Sequence, residues 1–583
     1  MQGLAGGALV LATGRQPGWG AATRGAQSGV VTSSGAAAVS GAALGSSAGA
    51  DAAPGPGSGD AVLSGTHFEL EVGTTQVNFT GVARQATVVN GRLPAPLLRW
   101  RQGDTVTIRV TNRLPAPTSI HWHGMILPAN MDGVPGISFP GIYPGRAYEY
   151  RFPVTQSGTY WYHSHSRFQE QVGLYGPIVI EPRAGERQHA DREHVLLLSD
   201  WTDTDPERIY RLLKVQSDYF NYRRRTVGDF IADARQKGLS STVSDRWMWG
   251  QMRMNASDLL DVSGHTYTYL MNGVTPAGNW TGLFRPGEKV RLRIINGSSM
   301  TFFDIRIPGL SMTVVAADGQ DIEPVSVDEF RIGAAEVYDV IVEPKGDRAY
   351  TIFAQSMDRS GYARGTLAPA MGMEAEVPPL DPPAVLSMAD MGMNMESMHH
   401  SGSAAHASMH PPPQPPNFGP NVDMVADQPK TSLSDPGVGL RSNGRRVLTY
   451  ADLHTIGGPI DPREPTREIR LHLTGHMQRY IWSFDGQKFS EAKPLRFNYG
   501  ERLRVVLIND SMMNHPIHLH GMWSEVESHD GKFLVRKHTV VVQPGQQLSY
   551  RVTADALGRW AFHCHLLYHM EAGMFREVAV VQE

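Results

Sequence analysis

The feature that most constrains the fold of this chain is a pattern used three times: an alternating apolar run that stops at an asparagine. It reads DTVTIRVTN from Asp104, EKVRLRIIN from Glu288 and ERLRVVLIN from Glu501. Each run is followed by a second related segment, GTYWYHSH from Gly158, DRAYTIFAQS from Asp347 and GRWAFHCH from Gly558. Such likeness marks an internal repeat, one folding unit used three times. Alternation with a period of two, rich in Val, Ile, Tyr and Thr and broken by Gly and Pro, suits strands that bury one face and does not suit helices. The expected fold is therefore all-β, with three β-sandwich domains at residues 61–185, 186–370 and 446–583. A chain of 583 residues is long enough for that many cores.

Three stretches depart from the pattern. Residues 205–249 are charged and aromatic, with DYFNYRRRT from Asp218, and read as a partly helical insertion in domain two whose arginines form a solvated face. Residues 371–445 are a Met/His/Pro-rich linker, with MADMGMNMESMHH from Met388 and MHPPPQPP from Met409, too poor in core-forming residues to fold alone. Residues 1–60 are expected to be signal-like and disordered: MQGLAGGALVLATG has the weakly apolar character of an export signal, without a basic segment before it, and an Ala/Gly/Ser-rich stretch follows. A formal charge of -4 offers no basic surface for nucleic acid. No apolar run reaches the roughly 18 residues a spanning helix needs, so no membrane span is expected.

The chemistry lies in four histidine motifs. Domain one carries His121-Trp122-His123 and His163-Ser164-His165; domain three carries His518-Leu519-His520 and His563-Cys564-His565. On a strand, residues two apart point to the same face, so each motif presents two imidazoles together. Ten of the 23 histidines lie in or beside these motifs, which removes the reading of isolated core or surface histidines. Overlaying the two domains pairs His121 and His123 with His518 and His520, and His163 and His165 with His563 and His565. A set shared in this way suits a multinuclear metal site at a domain interface.

Four further residues occur only in domain three. His515, Cys564, His569 and Met574 fall opposite Thr118, Ser164, Gln169 and Leu174. Two histidines, a thiolate and a weak axial thioether are the ligand set of a copper electron-transfer centre. Cys564 is the only cysteine, so no intrachain disulfide competes for it. Domain two has Phe302, Phe303, Asp304 and Arg306 at the matching place and is expected to be structural.

HWHG, WYHSH, HPIHLHG and HCHLLYHMEAGM resemble the four copper signatures of the multicopper oxidases, over residues 61–583. HWHGMILPANMDGVPGISFPGI from His121 and HSHSRFQEQVGLYGP from His163 are similar to the bacterial copper-resistance protein A branch. The resemblance implies three cupredoxin-like Greek-key domains and four copper ions. His515, Cys564, His569 and axial Met574 would hold type 1 copper, and His121 and His518 type 2 copper. His123, His163, His165, His520, His563 and His565 would hold the type 3 pair. Asp132 falls where the family places a proton-delivering carboxylate. An acid that some relatives carry directly after the second type 1 histidine is replaced by Met570, leaving Glu571 as the candidate.

Because Cys564 is bonded to both His563 and His565, an electron reaching the thiolate site has a short covalent route onward to dioxygen. The expected reductant is Cu(I), for which soft thioethers select and which the Met-rich linker would gather. A phenol is the alternative reductant, as in a laccase-like oxidase; copper sequestration without turnover is the alternative outside catalysis. The signal-like start and a metal site that no disulfide protects point to a periplasmic protein exported by the twin-arginine route, although that motif is absent from this chain, with a possible periplasmic copper carrier as partner.

Overall fold

The computed structural model describes residues 61–393 and 418–582. The signal-like and disordered expectations for residues 1–60 lie outside the described residues. Three sandwiches are present, all built on one plan. The repeated run is the centre of one sheet each time: Thr105–Asn112 pairs parallel to His67–Val77 and antiparallel to Ala147–Pro153. Val290–Asn296 does the same with Arg192–Trp201 and Val337–Val342, and Arg502–Asn509 with Arg467–His476 and Gln547–Thr553. A parallel neighbour requires a crossover between sheets, which gives the Greek-key connectivity.

The terminal asparagine of each run has the same task in all three domains. Asn112 Nδ2 donates to the carbonyls of Ala116 and Ile142 at 2.9 and 2.7 Å. Asn296 Nδ2 reaches those of Thr301 and Ile332, and Asn509 Nδ2 those of Met513 and Val542, at 2.7–3.1 Å. Each Oδ1 accepts a backbone N–H two residues on. One buried amide thus ties down the loop that leads into the next strand. In domains one and three that strand carries the ligand histidines: His121–His123 and His515–Leu519.

The insertion is helical over Pro206–Val215, Val227–Lys237 and Leu239–Gln251. Asp205 caps the first helix by accepting from Glu207 N at 3.0 Å, and Ile209 and Leu213, four residues apart, bury its inner face. The arginines of DYFNYRRRT are not simply a solvated face, which corrects that expectation. Arg223 donates to the carbonyls of Asp358 and Arg359 at 2.8 and 2.5 Å, and Arg225 to the Asp245 carboxylate at 2.9 Å. Backbone carbonyls left unpaired in a loop need donors, and a long guanidinium supplies them.

The described part of residues 371–445 straps domains two and three. Leu386 N bonds Ala256 O, Lys430 N bonds Gly545 O, and Arg445 pairs with Glu329 at 2.7 Å. Met388 and Met391 are buried in the main core. These methionines pack as flexible hydrophobes and are not free for copper; Met371 is exposed, and residues 394–410 lie outside the described residues. Among the described residues no helix is long and apolar enough to cross a membrane.

Candidate metal centre

Strand pairing sets the first distances. His121 lies directly opposite His163 in domain one, and His518 opposite His563 in domain three. Domains one and three then face each other, so that His123 stacks on His518 with centroids 3.8 Å apart and His121 lies 4.0 Å from His520. Seven of the eight cluster histidines are fully buried and His165 is half-buried. They subdivide by donor atom. His163 Nε2 is 3.4 Å from His123 Nδ1 and 3.3 Å from His565 Nε2. A second triad has His520 Nε2 3.0 Å from His563 Nε2, with the His165 ring 5.0–5.1 Å from both. His121 and His518, 5.7 Å apart, complete the set.

The outward nitrogens are fastened, which fixes where the inward ones point. His121 Nδ1 donates to Asp132 O at 2.7 Å, His518 Nδ1 to His538 O at 2.5 Å, and His563 Nδ1 to Cys564 O at 2.9 Å. His520 Nδ1 donates to Asp132 Oδ2 at 2.8 Å, so Asp132 is shared between a histidine of domain one and one of domain three. Asp132 Oδ1 is 3.3 Å from His121 Nδ1, but that N–H is already directed at the Asp132 carbonyl, leaving Oδ1 without a hydrogen bond of its own. The Nε2 atoms of His121, His165 and His518 are buried with no partner. Buried polar atoms are normally satisfied, so orphaned nitrogens converging on one space fit metal ions.

Electrostatics agree. Burial first, and neighbouring imidazoles second, hold His123, His163, His165, His518, His520 and His565 well below the usual histidine range. Burial brings His563 to about 4. Neutral imidazole is the form that binds metal.

The thiolate group is separate. Cys564 Sγ lies 3.5 Å from His515 Nδ1 and 3.8 Å from His569 Nδ1, which are 3.3 Å from each other. Burial pushes the Cys564 thiol far up, so only a bound cation would keep it ionised there. Met574 is buried beside them, its backbone bonded to Cys564 N and His569 O. In domain one the counterparts also meet, but as a polar triad: Gln169 Oε1 accepts from Thr118 Oγ1 at 2.6 Å and Ser164 Oγ at 2.9 Å. In domain two Asp304 is held by Arg331 and Arg359 at 2.7 and 2.6 Å, beside buried Phe302 and Phe303, and Arg306 pairs with Glu329 and Asp381.

Glu571 is not brought to the histidines. Its carboxylate pairs with Arg167, and no hydrogen bond joins it to a cluster histidine. Three neighbours of the site were missed by sequence reasoning. Asp261 Oδ2 accepts from His569 Nε2 at 2.6 Å and from Tyr480 OH at 2.8 Å. His538 Nδ1 lies 3.2 Å from His123 Nε2, next to fully buried Lys537, which pairs with Asp318 and Glu336. Glu170 Oε2 is 2.6 Å from His163 Nδ1. For Glu170 a signal existed, since it lies within HSHSRFQEQ; Asp261 had none, being 308 residues from His569.

Multicopper oxidase family models match residues 71–185, 192–370 and 462–583, which together take in all three sandwiches. The chain belongs to the multicopper oxidase family. As a multicopper oxidase it is a copper-dependent oxidoreductase with dioxygen as acceptor. It is 61% identical over 560 residues to a "Copper resistance protein A homolog" of Pseudomonas syringae pv. tomato, covering 91% of this chain and 94% of that protein. It is 59% identical to "Copper resistance protein A" of Escherichia coli, covering 89% and 93%. Among solved structures, Fet3p, a multicopper oxidase that functions in iron import, superposes with a TM-score of 0.63 at 20% identity, over 89% of this chain and 90% of that one; this likeness shows the fold.

Proposed function

We propose that this multicopper oxidase couples the one-electron oxidation of Cu(I) to the four-electron reduction of dioxygen to water, in the service of copper resistance. The observation that carries the reading is the position of Cys564. Its Sγ belongs to the His515–His569 group while its two chain neighbours, His563 and His565, belong to the two triads of the eight-histidine cluster. One residue thus bridges an electron-accepting site and an oxygen-reducing one.

His515, Cys564, His569 and Met574 would hold type 1 copper, and His121 with His518 type 2 copper. His123, His163 and His565 would hold one type 3 ion, and His165, His520 and His563 the other. Bound there, four copper ions supply the redox storage that lets dioxygen accept four electrons without release of partly reduced oxygen. The protein's own part is to orient and exclude. Trp482 stacks on His569 at 4.0 Å and Trp161 on His163 at 4.3 Å, shielding both rings from water. Asp132 Oδ1, buried and without a hydrogen bond, is the place from which a proton would be passed into the cluster.

Cu(I) is favoured as substrate because the most similar relatives reported above are copper resistance proteins and because residues 394–410 keep several methionines and histidines. Export to the periplasm by the twin-arginine route, and receipt of copper from a carrier there, belong to the same reading. The test is an oxygen electrode with Cu(I) or a phenol as sole reductant. Deleting residues 394–410 should raise the Cu(I) concentration for half-maximal rate and leave phenol oxidation equal or faster. Oxygen uptake with phenol but none with Cu(I) would refute the cuprous reading in favour of a laccase-like one.

A further inference from the structure

Two cluster histidines have a carboxylate oxygen within 3 Å of Nδ1. One is His520, which donates to Asp132 of a copper signature; the other is His163, whose neighbour Glu170 has no assigned task. His163 Nδ1 stands 2.6 Å from Glu170 Oε2, and its hydrogen bond runs to Ser164 O at 3.1 Å. Glu170 is 2% exposed, and its second oxygen, Oε1, has no partner. Burying a carboxyl with so little compensation is unfavourable, so its presence calls for a use.

The internal repeat sharpens the point. Gln169 of domain one corresponds to His569 of domain three, so Glu170 corresponds to Met570. Correspondingly, His563 Nδ1 has only a backbone acceptor, Cys564 O at 2.9 Å. The carboxylate is thus particular to domain one. His163 needs it most, because its Nε2 is the atom common to both short contacts of its triad, with His123 Nδ1 and His565 Nε2. Trp161, stacked at 4.3 Å and 19°, fixes the plane of the His163 ring but cannot fix which nitrogen carries the proton.

We infer that Glu170 is a positioning residue of the cluster: as a second acceptor beside Ser164 O it strengthens the hold on His163 Nδ1–H and so on the tautomer in which Nε2 is bare and turned towards His123 and His565. The inference rests on the proposed copper cluster. The role asks for an acceptor oxygen at Nδ1, which an ionised carboxylate offers with either atom and a neutral carboxyl through its carbonyl oxygen. Outer partners of metal-bound histidines typically change metal affinity by roughly 10–100-fold.

The test compares copper retention in purified holoprotein as chelator is raised, with total copper and the visible thiolate band followed separately. Glu170→Met, which installs the residue of domain three, should release cluster copper at roughly 10–100-fold lower chelator while the thiolate band persists. Glu170→Gln, whose amide oxygen still accepts from Nδ1–H, should stay within about threefold of wild type. If Glu170→Met yields no coloured protein, Glu170→Ala replaces it, and the contrast with Glu170→Gln still decides. Wild-type retention in the Met or Ala variant would overturn the inference. So would a Gln variant as weak as Met, which would make Glu170 a direct ligand. A wild-type protein without cluster copper would instead overturn the proposed function.

Discussion

Asp261→Asn isolates what domain two contributes to the thiolate site. Asp261 Oδ2 accepts from both His569 Nε2 and Tyr480 OH, whereas Oδ1 is buried and unpartnered. An asparagine keeps the shape and tolerates the backbone, which is left-handed here with φ 57° and would strain alanine by about 1–2 kcal/mol. With the amide oxygen in the Oδ2 position, the amide N–H groups take the Oδ1 position and find no acceptor. Turned round, they face two donors. Either way a buried unsatisfied donor costs about 1–3 kcal/mol, which is roughly 5–150-fold in an equilibrium constant. The loss falls on the state in which His569 is held for copper. In a chelator titration the visible thiolate band should therefore bleach at roughly 10–100-fold lower chelator than in wild type, while cluster copper stays bound. A bleaching midpoint within about threefold of wild type would refute the claim that Asp261 holds His569.

Cys564→Ser should abolish the visible thiolate band and oxygen uptake and leave cluster copper in place; a coloured variant would sink the assignment. At Gly133, φ is 81° and an added Cβ would lie 1.9 Å from Ile120 O, so Gly133→Ala must displace the loop bearing Asp132. Copper analysis should then show depleted cluster copper with the thiolate band retained, and full occupancy would contradict the bridging role of Asp132. In metal-free protein, His563 lies at about 4 against about 6.5 unfolded, so on acidification the unfolded chain takes up the proton first. Its contribution is present above about pH 6.5 and lost as pH falls towards 4, about 3 kcal/mol in order of magnitude, with the other lowered histidines acting in the same direction. Urea midpoints of metal-free protein that stay flat over this range would contradict it.

The sequence alone determined the threefold repeat, the sandwich plan, the pairing of histidines on strand faces and the separate Cys564 group. These depend on period-two alternation and short spacings, which a strand converts directly into geometry. Even the repeated asparagine was visible, although its three identical hydrogen-bond sets were not. What only the tertiary structure decided was which nitrogen of each imidazole faces inward, and what holds it there. Asp132 reaches from domain one to His520, Asp261 from domain two to His569, and Glu170 from its own loop to His163. Glu571, nearer in sequence to the ligands, turned instead to Arg167, and Met388 and Met391 went into the core. A hydrogen bond depends on angstrom-scale placement between distant segments, 388 residues apart for Asp132 and His520, and no local pattern encodes that distance; only the packing of the three sandwiches sets it.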